Sequence, residues 1–311
     1  MSGLDTDAVD GVGWHRSHMD KTRLFAGLGS LLLACAALAL TTDAAWGAKA
    51  TSVSAGGSHT CALKLNGKVV CWGYDFYGQA TPPGVGFKSI DAGGVHTCGV
   101  RGNRKARCWG FDGAGQSAPP QAVPFRSLSA SLDHTCGVRM NRKAACWGLD
   151  SFGQATPPGA RFRGVLSLGT AHSCGVRRNR QALCWGDNSH GESDPPGGRF
   201  QSVSSGGYHA CGVKPNRKVR CWGDDTWGQA DPPARRFRSV SAGVTHVCGL
   251  KPRGRPRCWG NDTFGQTDPP GIRFRTLDAG GSHTCGVTLK RRVRCWGYNG
   301  NGQTDVPPGL R

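Results

Sequence analysis

The stretch "HTCALKLNGKVVCWG", His59 to Gly73, sets a histidine two residues ahead of a cysteine, with a second cysteine ten positions on. Histidine with paired thiols is the material of a metal centre or a disulfide. The phrase returns from His96, His134, His172, His209, His246 and His283. The paired cysteines are Cys61 and Cys71, Cys98 and Cys108, Cys136 and Cys146, Cys174 and Cys184, Cys211 and Cys221, Cys248 and Cys258, and Cys285 and Cys295. A catalytic centre needs one unit to differ from its siblings, whereas near-copies at a fixed period describe a framework. Two readings of each pair stay open: a disulfide within the unit, or a metal site from His59, Cys61, Cys71 and their equivalents. Directly opposed residues of antiparallel strands have Cα atoms roughly 4.5–5.5 Å apart, within disulfide reach. Even pairing and an export-type leader favour the disulfide. The fifteenth cysteine, Cys35, lies in that leader.

The elements that must hold these cysteines are short. The chain of 311 residues contains 49 Gly and 18 Pro, and turn residues interrupt every apolar run after the N-terminus, which points to an all-β repeat fold. Each unit of 37 or 38 residues predicts three strands. The first carries one apolar residue (Val53, Ile90, Leu128, Val165, Val203, Val240 or Leu277), the second reads "HTCGV" and the third "KARCWG". The cysteines pair across a hairpin centred on Asn66, Asn103, Asn141, Asn179 or Asn216 in five units, a residue that tolerates left-handed backbone. That register sets Val100 opposite Ala106 and Val213 opposite Val219. One face then carries Cys, Val and Ala, and the other Gly, Arg and Lys, a period-two pattern with one buried side. The unit histidines and the seven Trp that follow the second cysteine (Trp72, Trp109, Trp147, Trp185, Trp222, Trp259, Trp296) read as packing between units.

Before the repeats, "KTRLFAGLGSLLLACAALALTTDAAWG" has basic residues, an apolar stretch from Leu24 to Leu40, and small residues Ala45 and Gly47 suited to signal-peptidase cleavage before Ala48. Residues 1–48 are therefore expected to be an extension and signal peptide, with Met19 as an alternative start. Lipidation at Cys35 is the alternative to cleavage. Nothing after residue 48 is apolar enough to span a bilayer. Export implies a secreted or cell-envelope protein. The formal charge of +19 permits an acidic partner without demanding one.

The phrase "AGGxHTC…CWGxDxxGQ", the Gly-Gln pairs at Gln79, Gln116, Gln154, Gln229, Gln266 and Gln303, and the count of seven resemble the repeat of the regulator of chromosome condensation family. The resemblance covers residues 51–311. It implies a seven-bladed β-propeller of short, three- to four-stranded blades, one disulfide in each. In style the units resemble two extracellular relatives, a secreted bacterial β-lactamase inhibitor protein and the ectodomain repeats of crinkly-type receptor kinases. Glu192 replaces the glutamine in unit 4, and units 3 and 4 lose the Gly-Gly, so their turns are expected to differ. No ATP loop, HRD or DFG motif exists, so a kinase is excluded.

Alternating strands give such a ring two unlike rims. The hairpin tips form a basic crown of Arg104, Lys105, Arg142, Lys143, Arg178, Arg180, Arg217, Lys218, Arg255, Arg291 and Arg292. The loops after Cys-Trp-Gly fall on the other rim and carry Tyr74, Phe76, Tyr77, Phe111, Phe152, Trp227, Phe264 and Tyr298. Exposed aromatics ringed by polar groups suggest a protein-binding face. The expected function is a non-catalytic exported binding propeller, inhibitor-like or adhesive, using the aromatic rim on an extracellular or envelope protein. The alternative is an anionic envelope polymer or polysaccharide held by the crown, and behind both stands an enzyme or exchange factor. No cofactor, metal, specific nucleic acid or nucleophile-base pair is implied. His190 with Glu192 and Asp194 is the one irregular polar group.

Overall fold

The computed structural model describes residues 49–311; the expected signal peptide and Cys35 lie outside the described residues. The chain forms seven antiparallel sheets of three strands each, in sequence order. Blade 1 has an inner strand Ala50–Ala55, a middle strand His59–Lys64 and an outer strand Val69–Gly73. Blade 7 has Phe274–Ala279, His283–Thr288 and Val293–Gly297. Each inner strand touches the next, and the seventh returns to the first, so the blades close into a propeller around a channel of about 750 Å³. Three strands is the number throughout, the lower end of the expectation.

Each cysteine faces its partner in register, and all seven pairs are disulfides. The metal reading of these thiols therefore fails. Val100 stands opposite Ala106 and Val213 opposite Val219, as expected.

Three local expectations are corrected. Middle strands are buried on both faces, because each blade lies between two others. The glycine within HTCGV is there for space: a Cβ on Gly99 would overlap the ring of Phe87, which starts the inner strand of its blade. Blade 1 is the exception that supports this, with Ala50 in place of the phenylalanine and Ala62 in place of the glycine. In blade 4 the apolar residue equivalent to Val53 is Leu166, 3% exposed, while Val165 is 60% exposed. Ser167 pairs with Cys174 as Ser54 pairs with Cys61, so the expected register was one residue out, which reverses the face.

The third correction concerns the hairpin tips. Positive φ belongs to the residue after the asparagine: Arg104, Arg142, Arg180 and Arg217, with Arg291 in blade 7 and Gly67 and Gly254 in blades 1 and 6. The asparagine oxygens instead accept the backbone N–H two residues on, as Asn103 does from Lys105 at 3.1 Å.

Polar side chains tie blade to blade. Each of the seven Cys-Trp-Gly tryptophans donates its Nε1 proton to the carbonyl of the Gln (or Glu) that ends the loop of the preceding blade, at 2.8–3.0 Å. Five of the seven buried histidines bond through Nε2 to a Thr or Ser of the next blade, His283 to Thr60 across the closing seam. The seam has a further closure. Val306 and Leu310 at the C-terminus, Leu310 in a 3₁₀ turn Pro308–Leu310, join the core cluster of Ala50, Ala62 and Trp72. The tail thus adds apolar side chains to the core of the one blade that lacks the phenylalanine.

Candidate binding surfaces

On the loop rim, the residues common to the repeats make the frame. In blade 1, Asp75 Oδ1 accepts from Ala80 N at 2.6 Å and Asp75 Oδ2 from Thr81 Oγ1 at 2.6 Å, while the fully buried Gln79 accepts from Tyr77 N at 2.9 Å. Blade 3 repeats the arrangement with Asp150 and Gln154, and blade 6 keeps its two backbone bonds with Asp262 and Gln266. With the backbone held this way, the intervening side chains are free to face outward. Phe76 is 77% exposed, and Tyr77, Phe152, Trp227, Phe264 and Tyr298 are exposed too; Tyr74 and Phe111 are half-buried.

The aromatics are unevenly spread. Tyr77 of blade 1 packs on Phe111 of blade 2, ring centres 4.7 Å apart, and Phe76 sits against Tyr77 at 4.9 Å and Tyr74 at 6.4 Å. Phe264 of blade 6 packs on Tyr298 of blade 7 at 4.8 Å. Six of the eight expected residues thus lie on one arc of blades 6, 7, 1 and 2. Phe152 and Trp227 make no such ring contact; they stand in blades 3 and 5, which adjoin the two ends of that arc. The sequence reading missed Tyr208, Leu132 and Val244, exposed on the inner-to-middle turns of this rim. They sit where other units have small residues, and comparing that turn between units would have shown them.

The opposite rim holds the basic crown. Arg104, Lys105, Arg142, Lys143, Arg178, Arg180, Arg217, Lys218, Arg255 and Arg292 are exposed and Arg291 is half-buried. Lys251, Arg253, Arg255 and Arg273 surround a shallow basic concavity at the sixth tip.

The channel carries a third polar feature that the sequence did not single out. One position of each inner strand (54, 91, 129, 167, 204, 241 and 278) is Ser or Asp, and in six of them the side chain accepts a backbone N–H from the next blade. Ser54 lies between two carboxylates, 3.1 Å from Asp91 Oδ1 and 3.1 Å from Asp278 Oδ2, and accepts from Ala92 N at 3.0 Å. One hydroxyl has one proton, so it satisfies both neighbours only if one carboxyl is protonated and donates to it. Burial lifts both carboxyls toward neutrality, and the charge of Asp91 adds to the effect at Asp278. The pair spans the seam of blades 7, 1 and 2. Burial also lowers every unit histidine from 6.5 to about 3 or 4, so the rings are neutral hydrogen-bonding members of the wall. Among the described residues, no three His, Cys, Asp or Glu side chains converge on a metal position, and no helix is long and apolar enough to cross a membrane.

The Regulator of chromosome condensation (RCC1) repeat matches residues 50–79, 166–192, 200–229, 237–266 and 274–303. Among solved structures, the chain is similar to the CRINKLY WD40 ectodomain of the Arabidopsis thaliana receptor kinase ACR4, at 28% identity and TM-score 0.70, covering 85% of this chain and 99% of that one. It is similar to the entire ectodomain of the Physcomitrella patens receptor kinase CR4, at 28% identity and TM-score 0.69, over 80% and 74%. Prp20p of Saccharomyces cerevisiae shares the fold at 15% identity and TM-score 0.66, over 85% of each chain. No curated protein sequence matches the chain. Units 1, 4, 5, 6 and 7 match the family's repeat and units 2 and 3 build the same blade with the same disulfide, so the chain is a seven-bladed propeller that carries five regulator of chromosome condensation repeats.

Proposed function

We propose that this protein is an exported, non-catalytic binding propeller that grips a partner protein with the aromatic arc of its loop rim. The observation that carries the reading is the pair of aromatic clusters on neighbouring blades, Phe264 with Tyr298 on blades 6 and 7 and Tyr74, Phe76, Tyr77 with Phe111 on blades 1 and 2, with Phe76 77% exposed. Large rigid aromatics over a fixed frame lose little entropy on binding and make strong anchors. Seven disulfides suit an oxidising compartment. The two plant structures of 28% identity, both named as receptor-kinase ectodomains, support an extracellular setting. Capture from an envelope and secretome fraction at low and high salt tests the proposal. A protein retained at high salt supports it, and retention of nothing but salt-released anionic polymer counts against it.

One observation favours a second reading. Arginine holds the left-handed position at five hairpin tips, where Gly67 and Gly254 serve without strain. A guanidinium kept at a backbone cost is consistent with a polyanion on the crown. Retention on an immobilised sulfated polymer, lost when Arg104, Lys105, Arg142, Lys143, Arg217 and Lys218 are changed together to Ser, is the outcome this reading requires.

A further inference from the structure

The loop of blade 4 differs from its siblings at one chemically decisive atom. In blades 5 and 6 a glutamine bridges its own loop. Its Oε1 accepts the backbone N–H of Trp227 at 2.7 Å or Phe264 at 2.8 Å. Its Nε2 donates to the residue five positions back, Asp224 Oδ2 at 2.7 Å or Asn261 Oδ1 at 3.1 Å. Blade 4 has Glu192 in place of the glutamine and Asp187 in the place of Asp224. Glu192 Oε2 accepts from His190 N at 2.8 Å, as the amide oxygens do. Its Oε1 is therefore on the branch that carries the NH₂ group in the next two blades. Glu192 is 0% exposed, and that oxygen has no hydrogen-bond partner.

Asp187 offers no donor to replace the missing amide. Like Asp224, it receives bonds from the residue two ahead: Ser189 N reaches Oδ1 at 3.1 Å and Ser189 Oγ reaches Oδ2 at 3.0 Å. A buried carboxylate oxygen with nothing to bond is strongly unfavourable unless a positive partner is supplied. Ser189 Oγ is engaged with Asp187 Oδ2 and lies 3.0 Å from His190 Nδ1, so the donors offered are the two carboxylates, both hard oxygens. That set suits a calcium-like ion and not the softer zinc or copper.

We propose that the blade 4 loop binds a hard divalent cation of the calcium class through Glu192 and Asp187, the ion standing in for the amide that ties the same loop in blades 5 and 6. Few protein ligands and a shell completed by water set the dissociation constant on the order of 10⁻⁴–10⁻³ M. The site lies on the loop rim, but nothing in it depends on what the aromatic arc binds.

The structure supplies a reporter, because Trp222 Nε1 donates to the backbone oxygen of Glu192 at 2.9 Å. The full oxidised chain, stripped with a chelator, is titrated with terbium chloride while tryptophan-sensitised luminescence is read, and the ion is then displaced with calcium chloride. Luminescence that calcium displaces is expected, together with a thermal midpoint raised by calcium and lowered by chelator. Glu192→Gln gives blade 4 the residue that its six siblings carry at this position. It is expected to bind terbium at least ~10-fold more weakly and to melt higher than the parent in chelator. Asp187→Asn places a donor opposite Glu192 and is expected to do the same. Luminescence that survives in either variant overturns the assignment. So does a parent with no terbium signal and a chelator-indifferent midpoint.

Discussion

At the residue scale, the seven buried histidines are the route by which pH enters the stability of the ring. The unfolded chain takes up protons from about pH 6.5 downward, whereas the folded rings resist protonation until about pH 3 to 4. Their stabilising effect is complete above pH 6.5 and is lost as pH falls through that window, at on the order of 1.4 kcal/mol per pH unit for each ring. Denaturant unfolding between pH 7 and 4 should show uptake of several protons; a pH-independent midpoint would refute neutral burial. His172 and His209 lack even an Nε2 partner, because the next blade has Ala210 or Val247 where its siblings have Thr or Ser. Ala210→Thr and Val247→Thr should each stabilise by ~1 kcal/mol in the same assay. The structural role of these histidines was legible because they recur. The left-handed residue at the tips was not. Backbone tolerance pointed to asparagine, but its side chain is used as an acceptor from residue i+2, and the next residue takes the turn.

At the element scale, a blade is decided by the fit of a phenylalanine against a glycine. Gly99→Ala should cost ~1–3 kcal/mol, because the methyl overlaps the Phe87 ring. The same change in a Phe87→Ala background should cost much less, as Ala50 and Ala62 coexist in blade 1. A double-mutant cycle with no coupling would show the glycine to be there for another reason. At the tips, Arg104→Gly and Arg142→Gly should each stabilise by ~1 kcal/mol by relieving positive φ. Strands, hairpins and disulfides were readable in the cysteine spacing, since ten positions around one turn leave a single direct pairing. The burial of both faces was not readable there: alternation describes one sheet in isolation, and the second face is covered by the neighbouring blade.

At the scale of the whole molecule, closure depends on residues with no visible repeat partner. Unit 1 lacks the phenylalanine, and Leu310 from the far end joins its core, an association that no local pattern could announce. Leu310→Ala should cost ~2–5 kcal/mol and open the seam of blades 7 and 1 to hydrogen exchange first. The carboxyl pair on that seam acts in the opposite pH sense to the histidines. Its raised folded values mean that the stabilisation is full at low pH and is lost as pH rises toward neutrality and beyond. Asp278→Asn should therefore stabilise the ring at alkaline pH relative to the parent and give little or no advantage near pH 5. The rims themselves were legible from strand alternation, while the clustering of the aromatics into one arc required the ring order. That arc carries the central claim. The most direct measurement is calorimetric affinity for the captured partner protein after Phe76, Tyr77, Phe264 and Tyr298 are changed together to Ala. Anchors of ~2 kcal/mol or more each predict at least a ~100-fold loss of affinity with the melting temperature unchanged. Parental affinity in that variant would contradict the claim and place the binding surface elsewhere.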